Sequence, residues 1–264
     1  MKTIYHFSGA GNDFVVIDGR EGDVSAFREV PRIEALCQEY KTDGLMILGS
    51  GDAEVDFTME FYNPDGSGGM MCGNGGRCIV AFADYLGIRP SSGGVFLFMA
   101  PDGLHTGEIL ERPADDLWTV RIKMIDVQGI TPMLGGYFLN TGTRHFVKFV
   151  DDVEQVDVAA EGKALRWNEA FAPIGTNVNF VQVAPDGLHV RTFEKGVEGE
   201  TLACGTGLTA CALVAHHAGV PTATPGAYRL RARQDWLSVN FTPGADEKFT
   251  DVYLTGPARL VEIH

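Results

Sequence analysis

Cys72-Gly-Asn-Gly-Gly-Arg-Cys-Ile-Val-Ala-Phe-Ala83 and Cys204-Gly-Thr-Gly-Leu-Thr-Ala-Cys-Ala-Leu-Val-Ala215 are two versions of one phrase, and they decide how this chain is read. Each opens with a cysteine and Gly-x-Gly, then runs into a stretch that is apolar nearly all round. A helix without a wide polar face is buried on all sides, so each phrase predicts a helix at the centre of a fold. Outward from the cysteines the likeness continues. Phe61 lies eleven residues before Cys72, and Phe193 lies eleven before Cys204. Gly87 and Gly219 each follow fifteen residues after their cysteine, as helix stops. The polar turns Asn63-Pro-Asp-Gly-Ser-Gly-Gly and Glu194-Lys-Gly-Val-Glu-Gly-Glu precede the two cysteines, and Asn12-Asp-Phe-Val-Val echoes Asn177-Val-Asn-Phe-Val. Two copies of one supersecondary unit make a pseudo-dimer within a single chain.

Between the helices the sequence is strand-like. Phe14–Ile17, Asp56–Tyr62, Val95–Met99, Trp118–Met124, Phe146–Val150, Val178–Val183, His189–Phe193 and Leu237–Phe241 alternate or are β-branched, with Gly, Pro, Asn and Asp between them. Many short strands and one buried helix per half predict an α+β fold. Its two pseudo-symmetric domains would each be a β-barrel-like sheet wrapped around a central helix.

Composition bounds the function. The 264 residues are 45% apolar and 21% charged, as in ordinary globular chains, and the net charge of −14 disfavours nucleic acid or an anionic membrane surface. No apolar leader core follows Met1, and the apolar run Ala210–Ala215 is far too short for a span. The expectation is a cytoplasmic protein. Five cysteines, Cys37, Cys72, Cys78, Cys204 and Cys211, do not make a disulfide framework, and separations of six and seven residues do not match zinc spacing. The expected site contains no metal and no cofactor.

A cysteine just ahead of a helix sits among backbone N–H groups that lack intrahelical partners. These groups and the helix dipole favour an anion and depress a thiol pKa. Two such sites suit inversion at an α-carbon: one thiolate removes the proton, the other thiol delivers one to the opposite face, and the helix ends hold the carboxylate. Burial is common for cysteine, so either residue alone could be packing; the duplication argues otherwise. A non-catalytic binder of small carboxylates is the reading from another class. The dinucleotide-like Gly205-x-Gly207 lacks the acidic residue expected about 20 positions on.

With these residues in hand, the chain resembles the diaminopimelate epimerase family over essentially its whole length. The matching segments are Gly9-Ala-Gly-Asn-Asp-Phe, Asn63-Pro-Asp-Gly-Ser, Cys72-Gly-Asn-Gly-Gly-Arg-Cys, Thr176-Asn-Val-Asn-Phe-Val, Glu194-Lys-Gly-Val-Glu-Gly-Glu-Thr, Ala203-Cys-Gly-Thr-Gly and Leu254-Thr-Gly-Pro-Ala. The resemblance implies interconversion of LL- and meso-diaminopimelate without pyridoxal phosphate, in lysine and peptidoglycan precursor synthesis, by a homodimer. It implies domains at 1–124 and 125–254, with 255–264 returning to the first and substrate held between them. By position, Cys72 and Cys204 are the implied acid–base pair, Gly73, Asn74, Gly205 and Thr206 the carboxylate donors, Asn12, Asn63 and Asn177 substrate contacts, and His145 and Glu194 the groups that tune the thiols. Glu194 also falls among the implied substrate contacts. Three departures stand out. Thr143-Arg144-His145 replaces the family's usual Asn-Pro-His, Glu194-Lys195 replaces Glu-Arg, and the turn Glu194–Thr201 is one residue longer. Thr143 and Lys195 lie where the substrate's distal end is expected; Arg144 either joins Lys195 in gripping its carboxylate or is a solvated surface residue. A related racemase for another amino acid is the alternative within enzymes.

Overall fold

The computed structural model describes residues 2–69 and 71–264. The chain divides into two compact units, Met1–Ile122 with Gly256–His264, and Lys123–Thr255.

In the first unit, β1 (Ile4–Gly9) and β2 (Asn12–Asp18) form a hairpin. Its two turn residues, Ala10 and Gly11, have φ of 59° and 89°, the double left-handed step that suits the twist of antiparallel strands. Helix α1 (Val30–Tyr40) carries the chain to β3 (Gly44–Ser50), parallel to β2, and β4 (Phe57–Tyr62) returns antiparallel. Helix α2 (Gly73–Tyr85) then leads to β5 (Val95–Ala100), parallel to β4, followed by the antiparallel β6 (Gly103–Ala114) and β7 (Leu117–Lys123). The last strand of the chain, β17 (Lys248–Ile263), closes the ring: Gly256–Arg259 pair with β7 and Arg259–Ile263 with β1. Eight strands thus enclose α2, whose residues from Gly73 to Ala83 are all buried. Val15, Ile17, Leu45 and Ile47 face outward onto Ile33, Leu36 and Cys37 of α1. Because β2 and β3 are covered on both faces, they read as continuous apolar runs and do not alternate.

The second unit repeats the order. The short β8 (Val127–Gln128) and β9 (Thr131–Met133) precede the hairpin of β10 (Gly136–Asn140) and β11 (Arg144–Phe149). Helix α3 (Val158–Arg166) connects to β12 (Asn177–Ala184), parallel to β11, and β13 (Gly187–Glu194) runs back antiparallel. After β14 (Gly199–Thr201), helix α4 (Gly205–His217) leads to β15 (Ala227–Arg231), parallel to β13, then β16 (Trp236–Pro243) and the first half of β17. β9 pairs with β10 and β8 with β17, so one interrupted strand fills the closing position. α4 is buried from Gly207 to Ala215, and Phe146, Val178, Phe180 and Phe193 pack outward with Val158 of α3.

Each unit has the one buried helix expected of it; a second helix, α1 or α3, lies outside the ring, and its few apolar positions gave the sequence little helical signal. Two expectations change. The echo of Asn12 in Asn177 is not structural, since Asn12 opens β2, whose counterpart is β11, whereas Asn177 opens β12, the counterpart of β3. The eleven-residue match is also off by one. Tyr62 stands opposite Leu45 on the α1 side as Phe193 stands opposite Val178 on the α3 side, so Phe61 corresponds to Thr192, and the second turn is one residue longer. Among the described residues, no helix is long and apolar enough to cross a membrane.

Candidate active site

In the first unit Cys72 is the N-cap of α2. Its backbone is extended (φ −105°, ψ 151°), and its Sγ accepts the Gly75 N–H at 3.2 Å. Sulfur here does what Ser or Asp does at an ordinary cap, which holds it against the helix's positive end. A Cβ on Gly75 would stand 3.3 Å from both that Sγ and the Met46 Sδ, so the glycine makes room for the thiol. One turn on, Arg77 is fully buried. Its guanidinium donates to the carbonyls of Gly73 (3.1 Å), Gly9 (3.4 Å) and Pro257 (3.2 Å) and to the Asn74 Oδ1 (2.9 Å). That last bond fixes the Asn74 amide, so its Nδ2 donates to the Asn12 Oδ1, and the Asn12 Nδ2 donates to Asp43 at 3.2 Å. Asn12, Cys72, Gly73 and Asn74 are therefore assembled together. The Asn63 side chain bonds Ser67 within its own turn (3.0 Å).

In the second unit Cys204 is the N-cap of α4, extended at φ −123° and ψ 108° and only 7% exposed. The Thr206 hydroxyl lies 3.5 Å from its Sγ and 2.9 Å from the Nε2 of His145. His145 is wholly buried, and its Nδ1 lies 3.1 Å from the Asn179 Nδ2. Burial first, and the positive charge of Lys195 second, push its pKa down to about 3. Glu194 accepts the Thr201 hydroxyl at 2.9 Å. Asn177 is 2% exposed and bridges two backbones: its Nδ2 donates to the Arg144 carbonyl (2.9 Å), and its Oδ1 accepts the Lys195 N–H (2.8 Å). It thereby sets the two segments on which Thr143 and Lys195 lie.

Arg144 departs from expectation. His145 points to α4, so its neighbour on the strand points the other way. The Arg144 guanidinium donates to the Phe171 carbonyl (3.1 Å) and covers the Phe138 ring at 5.1 Å. These contacts commit it to the α3 side. Sequence reasoning also passed over Arg77, Asp43, Asn179 and Thr192. The signal for Arg77 was present, a lone charge inside an otherwise apolar helix; Asn179 and Thr192 gave none beyond being polar residues in strands.

The neutral His145 makes a testable contribution to stability. Unfolded imidazole takes a proton near pH 6.5, and the folded ring refuses it down to about 3. The unfolded state therefore binds more protons in that window, and stability falls as pH falls through it. His145→Phe, an apolar ring of similar size, is expected to flatten this part of the acid dependence. The measurement compares urea midpoints at neutral pH and at about pH 4; the wild-type drop attributable to this ring is of order a few kcal/mol. An unchanged slope in the variant would refute it.

Comparison with known proteins follows the same lines. The diaminopimelate epimerase family profile matches residues 4–92 and 137–261. The chain is 40% identical over 263 residues to a diaminopimelate epimerase from Chlorobaculum tepidum, covering 96% of this chain and 97% of that one. Among solved structures, a PhzF-family phenazine biosynthesis protein from Bacillus anthracis aligns with TM-score 0.77 at 10% identity, over 100% of this chain and 98% of that one. A predicted epimerase from Pseudomonas aeruginosa aligns with TM-score 0.69 at 15% identity, over 100% and 98%. At these identities the two structures speak for the fold alone.

Proposed function

Because this chain belongs to the diaminopimelate epimerase family, we propose that it interconverts LL- and meso-2,6-diaminopimelate by proton transfer at the α-carbon, with Cys72 and Cys204 as the acid–base pair. The observation that carries the reading is the duplicated position: in each unit a cysteine occupies the N-cap position of the buried central helix.

The chemistry follows from that placement. One cysteine, as thiolate, takes the α-proton and becomes a thiol. The other, as thiol, gives its proton to the opposite face and becomes a thiolate. The two sulfurs exchange states at each turnover, so the reaction runs in either direction. Charge leaving the C–H bond moves onto the α-carboxylate, and first-turn N–H groups at Gly73, Asn74, Gly205 and Thr206 are the donors that stabilise it. His145 and Glu194 tune the second thiol, while Asn12, Asn63, Asn177, Thr143 and Lys195 bind or shape the binding surface. Lys195 offers the distal carboxylate a point charge in place of a guanidinium fork.

This chemistry calls for no pyridoxal phosphate, since two thiols and two helix ends supply the proton transfers and the charge stabilisation. The reading includes lysine and peptidoglycan precursor synthesis, a cytoplasmic setting and a homodimer, all supported by family membership.

The test is α-proton exchange in D₂O across a panel of amino acids that includes diaminopimelate. Diaminopimelate is expected to take up α-deuterium fastest. Faster exchange into a monocarboxylic amino acid would overturn the substrate and leave the two-thiol chemistry standing; no exchange into any amino acid would leave a carboxylate binder.

A further inference from the structure

Behind Cys204 the hydrogen bonds have a determined direction. A backbone carbonyl can only accept, so the Asn179 group lying 3.1 Å from the Phe146 oxygen is its Nδ2. The Asn179 Oδ1 correspondingly accepts the Thr192 hydroxyl at 2.9 Å. The same Nδ2 then donates to the His145 Nδ1, 3.1 Å away. A neutral imidazole whose Nδ1 accepts must carry its proton on Nε2. Nε2–H therefore donates to the Thr206 oxygen at 2.9 Å, which leaves the hydroxyl proton free for the Cys204 Sγ, 3.5 Å away.

The other unit has the same scaffold without the relay. By strand register, His145, Asn179 and Thr192 correspond to Phe14, Met46 and Phe61, all buried, with the Phe14 and Phe61 rings edge to face at 6.0 Å. The two helix glycines report the same correspondence. A Cβ on Gly75 would meet the Met46 Sδ, whereas a Cβ on Gly207 would come within 2.5 Å of the Asn179 Oδ1 and 3.3 Å of the His145 Cε1. Pseudo-symmetry has been broken at three adjacent core positions, and only on the side of Cys204.

We propose that Asn179 is a positioning residue: it locks His145 as the Nε2–H tautomer, so that the imidazole takes a lone pair of the Thr206 hydroxyl and leaves its proton free to be donated to the sulfur of Cys204. The relay favours Cys204 as thiolate and biases it toward the base of the resting pair, as the Gly75 N–H does for Cys72 in the other unit. This assignment rests on the acid–base reading of the two cysteines given above. The relay's existence does not, because it is legible in a thiol that never turns over.

The experiment is iodoacetamide alkylation of the full-length protein as a function of pH, with each cysteine followed by peptide mass mapping. Thr206→Val keeps the side chain's shape and removes the proton donated to sulfur. Cys204 is expected to titrate about one to two pH units higher in this variant, so that its alkylation near neutrality slows about tenfold or more. Thr206→Ser restores the wild-type profile, and the Cys72 profile moves in neither. Asn179→Ile, an apolar replacement like the corresponding Met46, is expected to raise the Cys204 profile in the same direction and to lose the Nε2–H signature in the ¹⁵N shifts of His145. An unmoved Cys204 profile in Thr206→Val overturns the relay. A wild-type His145 protonated on Nδ1 overturns the tautomer lock, and needs no variant that folds. If the profiles shift as expected in a protein that exchanges no α-proton, the relay stands and the epimerase reading fails.

Discussion

Cys72→Ala and Cys204→Ala each lose epimerisation. General acid–base groups contribute about 10²–10⁴-fold, and here the loss should reach or exceed the top of that range, because removing one thiol leaves a whole face of the α-carbon without a proton donor or acceptor. The two variants should nonetheless differ. Each variant deletes the proton-transfer group of one face; the surviving thiol can still exchange the proton on its own face. Single-turnover deuterium exchange from one stereoisomer separates the cases: each variant should retain slow exchange with one configuration of the α-carbon and none with the other. Cys78→Ala and Cys211→Ala supply the contrast. Both thiols lie inside the buried helices, where burial pushes their pKa values well up, so these changes should act through packing. Near wild-type turnover in either Cys72→Ala or Cys204→Ala would defeat the two-thiol mechanism.

Arg77→Leu should destabilise the fold by about 3–5 kcal/mol, since several charge-assisted hydrogen bonds worth about 1.5–3 kcal/mol each are lost. The side chain has no exposed surface and gathers the carbonyls of Gly9, Gly73 and Pro257 with the amide of Asn74. These acceptors belong to β1, to the first turn of α2 and to the closing half of β17. One guanidinium thus ties the helix that carries Cys72 to both strands that seal the ring. Leucine fills part of the volume but removes the charged donor from three carbonyls and the Asn74 Oδ1, a loss that hydrophobic burial only partly offsets. Arg77→Lys should recover only part of the loss, since a single ammonium cannot span the acceptors that a planar fork reaches. Chemical denaturation reads this directly; a cost under about 1 kcal/mol would mean that water replaces the guanidinium. Asn74 would also lose the bond that orients it, so activity should fall more than stability explains.

How far the sequence spoke for itself varies by residue. The Cys-Gly-x-Gly phrases located both central helices and their caps, because a glycine-flanked cysteine before an all-round apolar run has few other folded uses. The strands that alternate, such as β4 and β7, were legible for the same reason of period. β1, β3, β6, β8, β9, β10, β14, β15 and β17 lay outside the strand-like runs. The outer helices α1 and α3 were not, since each offers only a narrow stripe of apolar residues to a ring that hides its other side.

The site divides the same way. Sequence determined the identity of the reactive groups: two thiols, glycines beside them, and the polar residues His145, Glu194 and Lys195 in their neighbourhood. It did not determine which way a side chain points, and that decided the roles of three residues. Arg144 and His145 are adjacent in the chain, yet a strand sends neighbours to opposite faces, so one covers Phe138 and the other enters the barrel. A single inserted residue after β13 moved the true counterpart of Phe61 from Phe193 to Thr192. Only strand register could reveal that shift, because hydrogen-bond pairing across a sheet joins residues far apart in sequence. The difference between the apolar Phe14, Met46 and Phe61 and the polar His145, Asn179 and Thr192 was therefore written in the chain but could be read only once the tertiary fold had brought each trio behind its cysteine.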